Sequence, residues 1–175
     1  MTGWGNLSAR GNYMVNMGPT RTYVSSGPIG PFGIKNVAGF GGYIPYRTAL
    51  SKIIDGSSKT LLMAELRCPP DDVDDQRGTM ILEPLAGYFT AAAPPNNGTD
   101  RWPSSSIKNC DNSIFPCTAT SDSSDQWQSI ARSRHPGGVN AAFCDASVQF
   151  IPDSIDPGVW QELSTMNSGN TMGAW

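Results

Sequence analysis

The stretch SRHPGGVNAAFCDASVQFI, residues 133–151, carries the strongest structural signal in the chain. Its apolar residues alternate along two short runs, first Val139, Ala141 and Phe143 and then Val148 and Phe150. Alternation with a period of two is typical of strands that bury one face, so the stretch predicts a β-hairpin. The Asp145-Ala146 pair lies where a two-residue turn would connect the strands. Pro136 and the two glycines after it exclude a helix before the first strand.

Further strands and two helices are predicted on either side of this hairpin. Strand patterns cover residues 12–18, 20–25, 60–66, 76–82 and 88–93. An apolar helical face predicts a helix over 48–54, which Gly56 would stop. A second helix is predicted from Asp156, as N-cap with Pro157 behind it, to near Gly169.

The remaining sequence is rich in loop-forming residues. Glycine and proline are so frequent in 26–46 that only a loop is predicted there. Residues 94–129 are polar and predict an irregular, surface-exposed insertion. The chain, residues 1–175, is therefore predicted to be one α+β domain, mostly antiparallel β, with a loop-rich insertion at about 94–129.

Composition limits the function classes. The net charge is −3 and only 15% of residues are charged, with 19 glycines and 14 prolines. With no cluster of lysines and arginines, this balance argues against nucleic-acid binding. No apolar run approaches the ~18 residues of a membrane span, and the first residues do not form a signal peptide. Low charge and many turns are typical of extracellular β proteins.

The four cysteines predict disulfides and not a zinc ribbon, because none has CxxC spacing. Cys110 and Cys117 bracket a short loop and suit a local disulfide worth about 2.5 kcal/mol. Cys68 and Cys144 either form a second bridge or leave Cys144 as a buried thiol on its strand.

Several motifs resemble one bacterial family. His135, nine intervening residues and Asp145 resemble the H-X9-DG signature of the DUF1559 family of prepilin-type, pseudopilin-like proteins. The segments 11–18, GNYMVNMG, 54–65, IDGSSKTLLMAE, and 155–163, IDPGVWQEL, resemble other boxes of that family in the same order. Ala146 stands where the signature has glycine, which argues against a type I′ turn.

The resemblance implies a fold and a location. It implies a pilin-like globular head with short helices and a long loop insertion, exported to the cell surface or the extracellular space. The family's leader and long apolar N-terminal helix are expected to be absent from this sequence. The resemblance implies no established chemistry.

The first candidate site is His135 with Asp145. A carboxylate beside an imidazole could serve as an acid/base or metal pair. The alternative, which we favour, is that His135 hydrogen-bonds to backbone or to Glu65 while Asp145 satisfies turn amides. Glu65, at the end of an apolar strand, needs a partner, and three arginines are available for it: Arg67, Arg77 and Arg132. The residues predicted to hold the centre of the fold are Glu65, Arg132, His135, Asn140 and Asp145. The predicted core residues around them are Phe143, Val148, Phe150 and Trp160.

Two further candidates concern ligands. The aspartates of the segment CPPDDVDD could bind Ca²⁺, although a solvated acidic turn fits their spacing better; they are Asp71, Asp72, Asp74 and Asp75. Trp102 and Trp127 could stack on sugars, or could anchor the insertion. No cofactor other than Ca²⁺ is expected.

The favoured function is a non-enzymatic, exported structural protein that assembles with itself, with other pilin-like subunits or with a secretion apparatus. One alternative is a calcium- or carbohydrate-binding surface module. The other is a hydrolase that uses His135 and Asp145. Serine catalysis is excluded because no G-x-S-x-G elbow exists.

Overall fold

The β-strands in the described part of the chain form three sheets. The computed structural model describes residues 9–20, 23–24, 29–36, 43–45, 47–69, 75–79, 86–104, 107, 110, 114–120 and 127–169. The strands in that part are β1 Tyr13–Gly18, β2 Tyr23–Val24, β3 Ile34–Asn36, β4 Tyr43–Pro45, β5 Leu61–Glu65, β6 Tyr88–Thr90, β7 Asp100–Pro103, β8 Cys117–Thr120, β9 Gly138–Phe143 and β10 Val148–Pro152. The same part of the chain also forms the short helix α1, Pro157–Leu163, after β10, and two 3₁₀ turns before β5, Leu50–Lys52 and Ser57–Lys59.

The main sheet has five strands in the order β10-β9-β5-β1-β6. All neighbours in it are antiparallel except β1 and β6, which are parallel. The predicted class, α+β with mostly antiparallel strands, is confirmed. None of the described helices is both long and apolar enough to cross a membrane.

The main core lies between one face of this sheet and α1. Alternate residues of β9 point into it, and its largest members are fully buried: Met14, Phe89, Phe143, Trp160 and Leu163. Asp156 caps α1 by accepting hydrogen bonds from the backbone N–H groups of Gly158 and Val159. The helix ends at Leu163 and not near Gly169, because the N–H of Met166 already bonds to the carbonyl of Ile29.

The hairpin connection differs from the prediction in one residue. The N–H of Phe143 bonds to the Ser147 carbonyl, so Cys144, Asp145 and Ala146 form a three-residue loop and not a two-residue turn. Ala146 has a φ of +69°, as the last residue of such loops requires. An alanine gives no sequence signal for this conformation. The extra residue shifts the register by one, which turns Val148 and Phe150 to the other face of the sheet. Their predicted place in the core is therefore wrong, and they are 67% and 49% exposed.

Replacing Ala146 with glycine is expected to stabilise the protein. Left-handed backbone costs an L-residue about 1–2 kcal/mol, and glycine adds about 0.5–1 kcal/mol of chain entropy to the unfolded state. The net gain should raise the melting temperature by about 1–4 °C in a thermal scan. Ala49→Gly, at an exposed position with a φ of −101°, is the control and should give no gain. A lower melting temperature for Ala146→Gly would contradict the loop geometry.

Three predicted local structures are wrong. Residues 26–46 are not all loop, because β3 and β4 pair with each other and β3 also pairs with β2. Residues 48–54 form a single 3₁₀ turn, since Leu50 and Ile54 stay 75% and 68% exposed and only Ile53 packs inward. In 76–82, Gly78 lies in a turn and Thr79 makes an isolated bridge to Arg10, while 80–82 lie outside the described residues.

The insertion at 94–129 is more ordered than its polar composition predicts. It contributes the parallel pair β7 and β8. Trp102, Ile107 and Cys117 from this region are buried with Met17 in a second apolar cluster. The stretch is therefore partly a core element and not a surface decoration.

Asp55 ties the end of the chain to the body of the protein. Its carboxylate accepts hydrogen bonds from the Thr165 hydroxyl at 2.9 Å and from the N–H groups of Ser168 at 2.7 Å and Gly169 at 2.9 Å. Burial raises the pKa of Asp55, but these donors outweigh it and hold the pKa below its ordinary value. The charged carboxylate is therefore the form that stabilises the fold.

Because of this contact, Asp55→Asn should lower the stability of the fold at neutral pH and have almost no effect on stability in acid. A lowered folded-state pKa contributes stability above the ordinary value of 3.8, and that stability is lost as the pH falls through the folded-state pKa. Thermal scans of both proteins at pH 7 and at about pH 3 check this, at matched ionic strength. A gap in melting temperature that does not narrow in acid would show that the charge of Asp55 is not what stabilises the contact.

Candidate functional site

Glu65 is the hub of a polar cluster at the end of β5. Its Oε2 accepts a hydrogen bond from the backbone N–H of Asn140 at 2.8 Å. Its Oε1 contacts the Asn140 side-chain amide at 3.2 Å, His135 Nε2 at 3.1 Å and the Tyr13 hydroxyl at 3.5 Å. The Glu65 side chain is only 12% exposed, whereas the His135 side chain is 54% exposed.

The backbone explains why a carboxylate is needed at this point. Pairing between β5 and β9 ends with Ala64 opposite Ala141. One residue later the carbonyl of Glu65 accepts from the N–H of Arg132 instead. The strands separate there, and the Glu65 side chain supplies the acceptor that the Asn140 N–H would otherwise lack.

None of the three expected arginines pairs with Glu65. Arg132 belongs to a second, buried network, in which Arg77 contacts Asp75 and Asp100 at 2.8 Å each and Arg132 lies 3.5 Å from Asp100. All four side chains are at most 5% exposed. Burial lowers the pKa of Arg77, but Asp75 and Asp100 more than compensate and raise it. No periodic pattern in the sequence indicates this network, because its members meet only in the folded chain.

Asp145 lies at the opposite end of β9 from His135. Six residues of strand separate the two ends of β9, a distance of about 20 Å. The Asp145 carboxylate accepts from the Ser147 hydroxyl at 2.7 Å and from the Ser147 N–H at 2.9 Å, and these bonds lower its pKa. His135 and Asp145 are therefore too far apart to act as the acid/base or metal pair that the hydrolase alternative requires.

Of the four predicted calcium ligands, Asp75 alone lies among the described residues. Asp75 is fully buried, and both oxygens of its carboxylate accept hydrogen bonds from the Arg77 guanidinium. Asp71, Asp72 and Asp74 lie outside the described residues. In the described part of the chain, no three histidine, cysteine or acidic side chains are grouped as metal ligands would be.

One predicted disulfide is present and the other is not. Cys110 and Cys117 are bonded, with Cα atoms 4.9 Å apart. Neither Cys68 nor Cys144 is part of a disulfide, and the Cys68 Sγ lies 3.0 Å from the Gly11 carbonyl. Burial, with the nearby charge of Asp145, raises the pKa of Cys144 to about 11, so its thiol is unreactive at neutral pH.

Trp102 is not available for stacking on a sugar. It is 1% exposed, its indole N–H donates to the Ser129 hydroxyl at 2.9 Å, and its ring stacks on Trp127 with centroids 5.6 Å apart. The two tryptophans anchor the second apolar cluster, as the alternative interpretation expected.

The edge strand β10 of the main sheet is a second candidate site. The N–H of Phe143 bonds to the Ser147 carbonyl and the N–H of Asp153 bonds to the Gly137 carbonyl. Antiparallel ladders alternate bonded and non-bonded pairs, so Gln149 and Ile151 are the β10 residues that bond to β9. Val148 and Phe150 therefore direct their N–H and C=O groups away from the sheet.

The side chains at this edge are apolar and exposed. Val148 is 67% exposed and Phe150 is 49% exposed. Directly paired residues share a face, which puts both side chains on the face of the sheet opposite the main core. Tyr13, which is 49% exposed, lies on the same face. This face includes Tyr13, Val15, Met63, Glu65, Asn140, Ala142, Val148 and Phe150. In the described part of the chain, β9 is the sole strand paired with β10.

Comparisons with known proteins give one match. A family model described as "Protein of unknown function (DUF1559)" matches residues 3–158. No curated protein matches, and no solved structure does.

Proposed function

Since this chain belongs to the DUF1559 family, described as proteins of unknown function, we propose a role from its own geometry. It is a non-enzymatic structural subunit, pseudopilin-like and exported, that associates with a second copy of itself through β10. The observation that carries the proposal is the open edge of β10, with outward backbone groups and exposed apolar side chains at Val148 and Phe150.

An edge of this kind is normally protected. Soluble proteins guard edge strands with charged residues, prolines or bulges, because an unpaired edge recruits other strands. β10, VQFIP, has no charged residue, and Pro152 protects only its last position. Another strand would cover the two apolar side chains and bond to the two peptide groups below them, which have no partner among the described residues.

A second β10 fits this edge in one antiparallel register. When Val148 lies opposite Phe150 of the other copy, and Phe150 opposite its Val148, all outward N–H and C=O groups of these residues are paired. The same register brings valine against phenylalanine twice, a favourable cross-strand contact. The arrangement has two-fold symmetry, as most homodimers do.

The contact is expected to be weak. Pairing two short strands buries less than the about 1,200 Å² of a stable interface. Asp145 and Asp153 also lie just beyond the two ends of β10, so antiparallel pairing brings carboxylates of the two copies towards each other at both ends. Association should therefore depend on concentration and strengthen with salt, which screens these like charges.

Other features support the location and the absence of catalysis. A disulfide such as Cys110–Cys117 persists in oxidising compartments, which favours export. Both Glu65 oxygens are occupied by donors that hold β5 and β9 together. We assign this cluster a structural role.

Sedimentation velocity over a range of concentrations tests the proposal. The unmodified protein should shift reversibly from monomer towards dimer as its concentration rises. Val148→Lys puts a charge on the edge and should abolish that shift. Ile54→Lys is the matched control, because Ile54 is 68% exposed and lies outside β10, and it should associate normally.

Two results would refute this function. One is a monomer at every concentration. The other is an equal loss of association in both lysine variants, which would mean that general surface hydrophobicity and not β10 causes it.

A further inference from the structure

A cleft with two lobes surrounds the segment 132–135. The lobes measure about 300 and 540 Å³. Both are lined by Arg67, Arg132, Ser133, Arg134 and His135. Three guanidinium groups on one cleft are notable in a chain that has 12 lysines and arginines in total.

The acceptors in this cleft are largely occupied. The Glu65 carboxylate already accepts hydrogen bonds from Asn140 and Tyr13 and contacts His135 Nε2. Asp153, in the larger lobe, accepts from the Asn96 amide at 2.8 Å. Neither carboxylate forms an ion pair with an arginine among the described residues.

Two of these arginines, in contrast, have donor groups without a hydrogen-bond partner among the described residues. Arg134 is exposed and makes no hydrogen bond or ion pair within the described part of the chain. Arg132 is 4% exposed, and its Nε has no hydrogen-bond partner there. Burial lowers the pKa of Arg132, and repulsion from Arg77 adds to this although Asp100 opposes it. A buried guanidinium in this state would be stabilised by an additional negative charge.

We propose that this cleft binds an organic carboxylate. Guanidinium groups match carboxylate geometry through paired N–H donors. Leu66, Ile114 and Pro116 line the lobes and can contact a hydrocarbon body. Glu65 and Asp153 also line the cleft, and their charges disfavour a doubly charged phosphate relative to a single carboxylate.

Calorimetric and NMR titrations with benzoate test this inference. Benzoate should bind with amide shifts centred on residues 132–135. Benzamide, its neutral isostere, should bind about tenfold more weakly, equivalent to about 1.4 kcal/mol. Inorganic phosphate should also bind more weakly than benzoate.

Variants of exposed arginines identify the site without disturbing the fold. Arg134→Gln should lower benzoate affinity about tenfold and leave the melting temperature unchanged. Arg134→Lys should recover part of the affinity, because it restores the charge without the paired donors. Arg47→Gln, an exposed arginine outside the cleft, is the matched control and should bind benzoate normally.

Three results would overturn the inference: equal binding of benzoate and benzamide, tighter binding of phosphate, or unchanged benzoate affinity in Arg134→Gln. The inference is independent of self-association through β10, because Val148→Lys should bind benzoate as the unmodified protein does.

Discussion

Replacing Arg77 with methionine is expected to cost about 3–5 kcal/mol of unfolding free energy. Arg77 is 1% exposed and is the only cation that contacts both Asp75 and Asp100 among the described residues. Methionine fills much of the volume but leaves two carboxylates buried, with Arg132 as the remaining cation at 3.5 Å from Asp100. An uncompensated buried charge costs far more than the ion pair itself contributes.

Urea denaturation followed by circular dichroism measures this loss. Arg101→Met is the matched control: Arg101 is an exposed arginine on β7, and its loss should change stability by less than about 0.5 kcal/mol. A similar, small effect in both variants would mean that the buried network is not a determinant of stability.

Replacing Glu65 with alanine is expected to cost about 2–3 kcal/mol. The change leaves the backbone N–H of Asn140 without its acceptor at the point where β5 and β9 separate. His135→Ala should cost less than about 1 kcal/mol, because that side chain is 54% exposed and Glu65 keeps its other donors.

The decisive result is that Glu65→Ala destabilises the protein more than His135→Ala does. Thermal unfolding measures both losses, and amide exchange at Asn140 reports the lost hydrogen bond. Glu162→Ala, on α1, is the control for loss of a glutamate and should lie within about 0.5 kcal/mol of the unmodified protein. If His135→Ala proved as damaging as Glu65→Ala, the histidine and not the glutamate would be the centre of the cluster.

The parts of the fold with local signals could be predicted from the sequence. Alternating apolar residues located β9 and β10, and an apolar run ending in one acid located β5 and pointed to Glu65. The N-cap Asp156 gave the start of α1. Each of these signals depends on neighbours in sequence, which is why each could be read without a structure.

The parts that depend on distant contacts could not be predicted. Asp100 contacts Arg77 although 23 positions separate them in sequence, and no pattern around either residue indicates this contact. Trp102 lies in a polar stretch, so its burial is decided by the pairing of β7 with β8. His135 and Asp145 are close in sequence, but an extended strand holds them apart.

Residue-level hydrogen exchange on β10, at low and at high protein concentration, tests the central claim most directly. At low concentration the N–H groups of Gln149 and Ile151, bonded to β9, should exchange slowly, and those of Val148 and Phe150 should exchange fast. At high concentration Val148 and Phe150 should become protected as well, because a second β10 pairs with them. If these two amides exchange equally fast at every concentration, β10 does not pair with another copy and the proposed function is wrong.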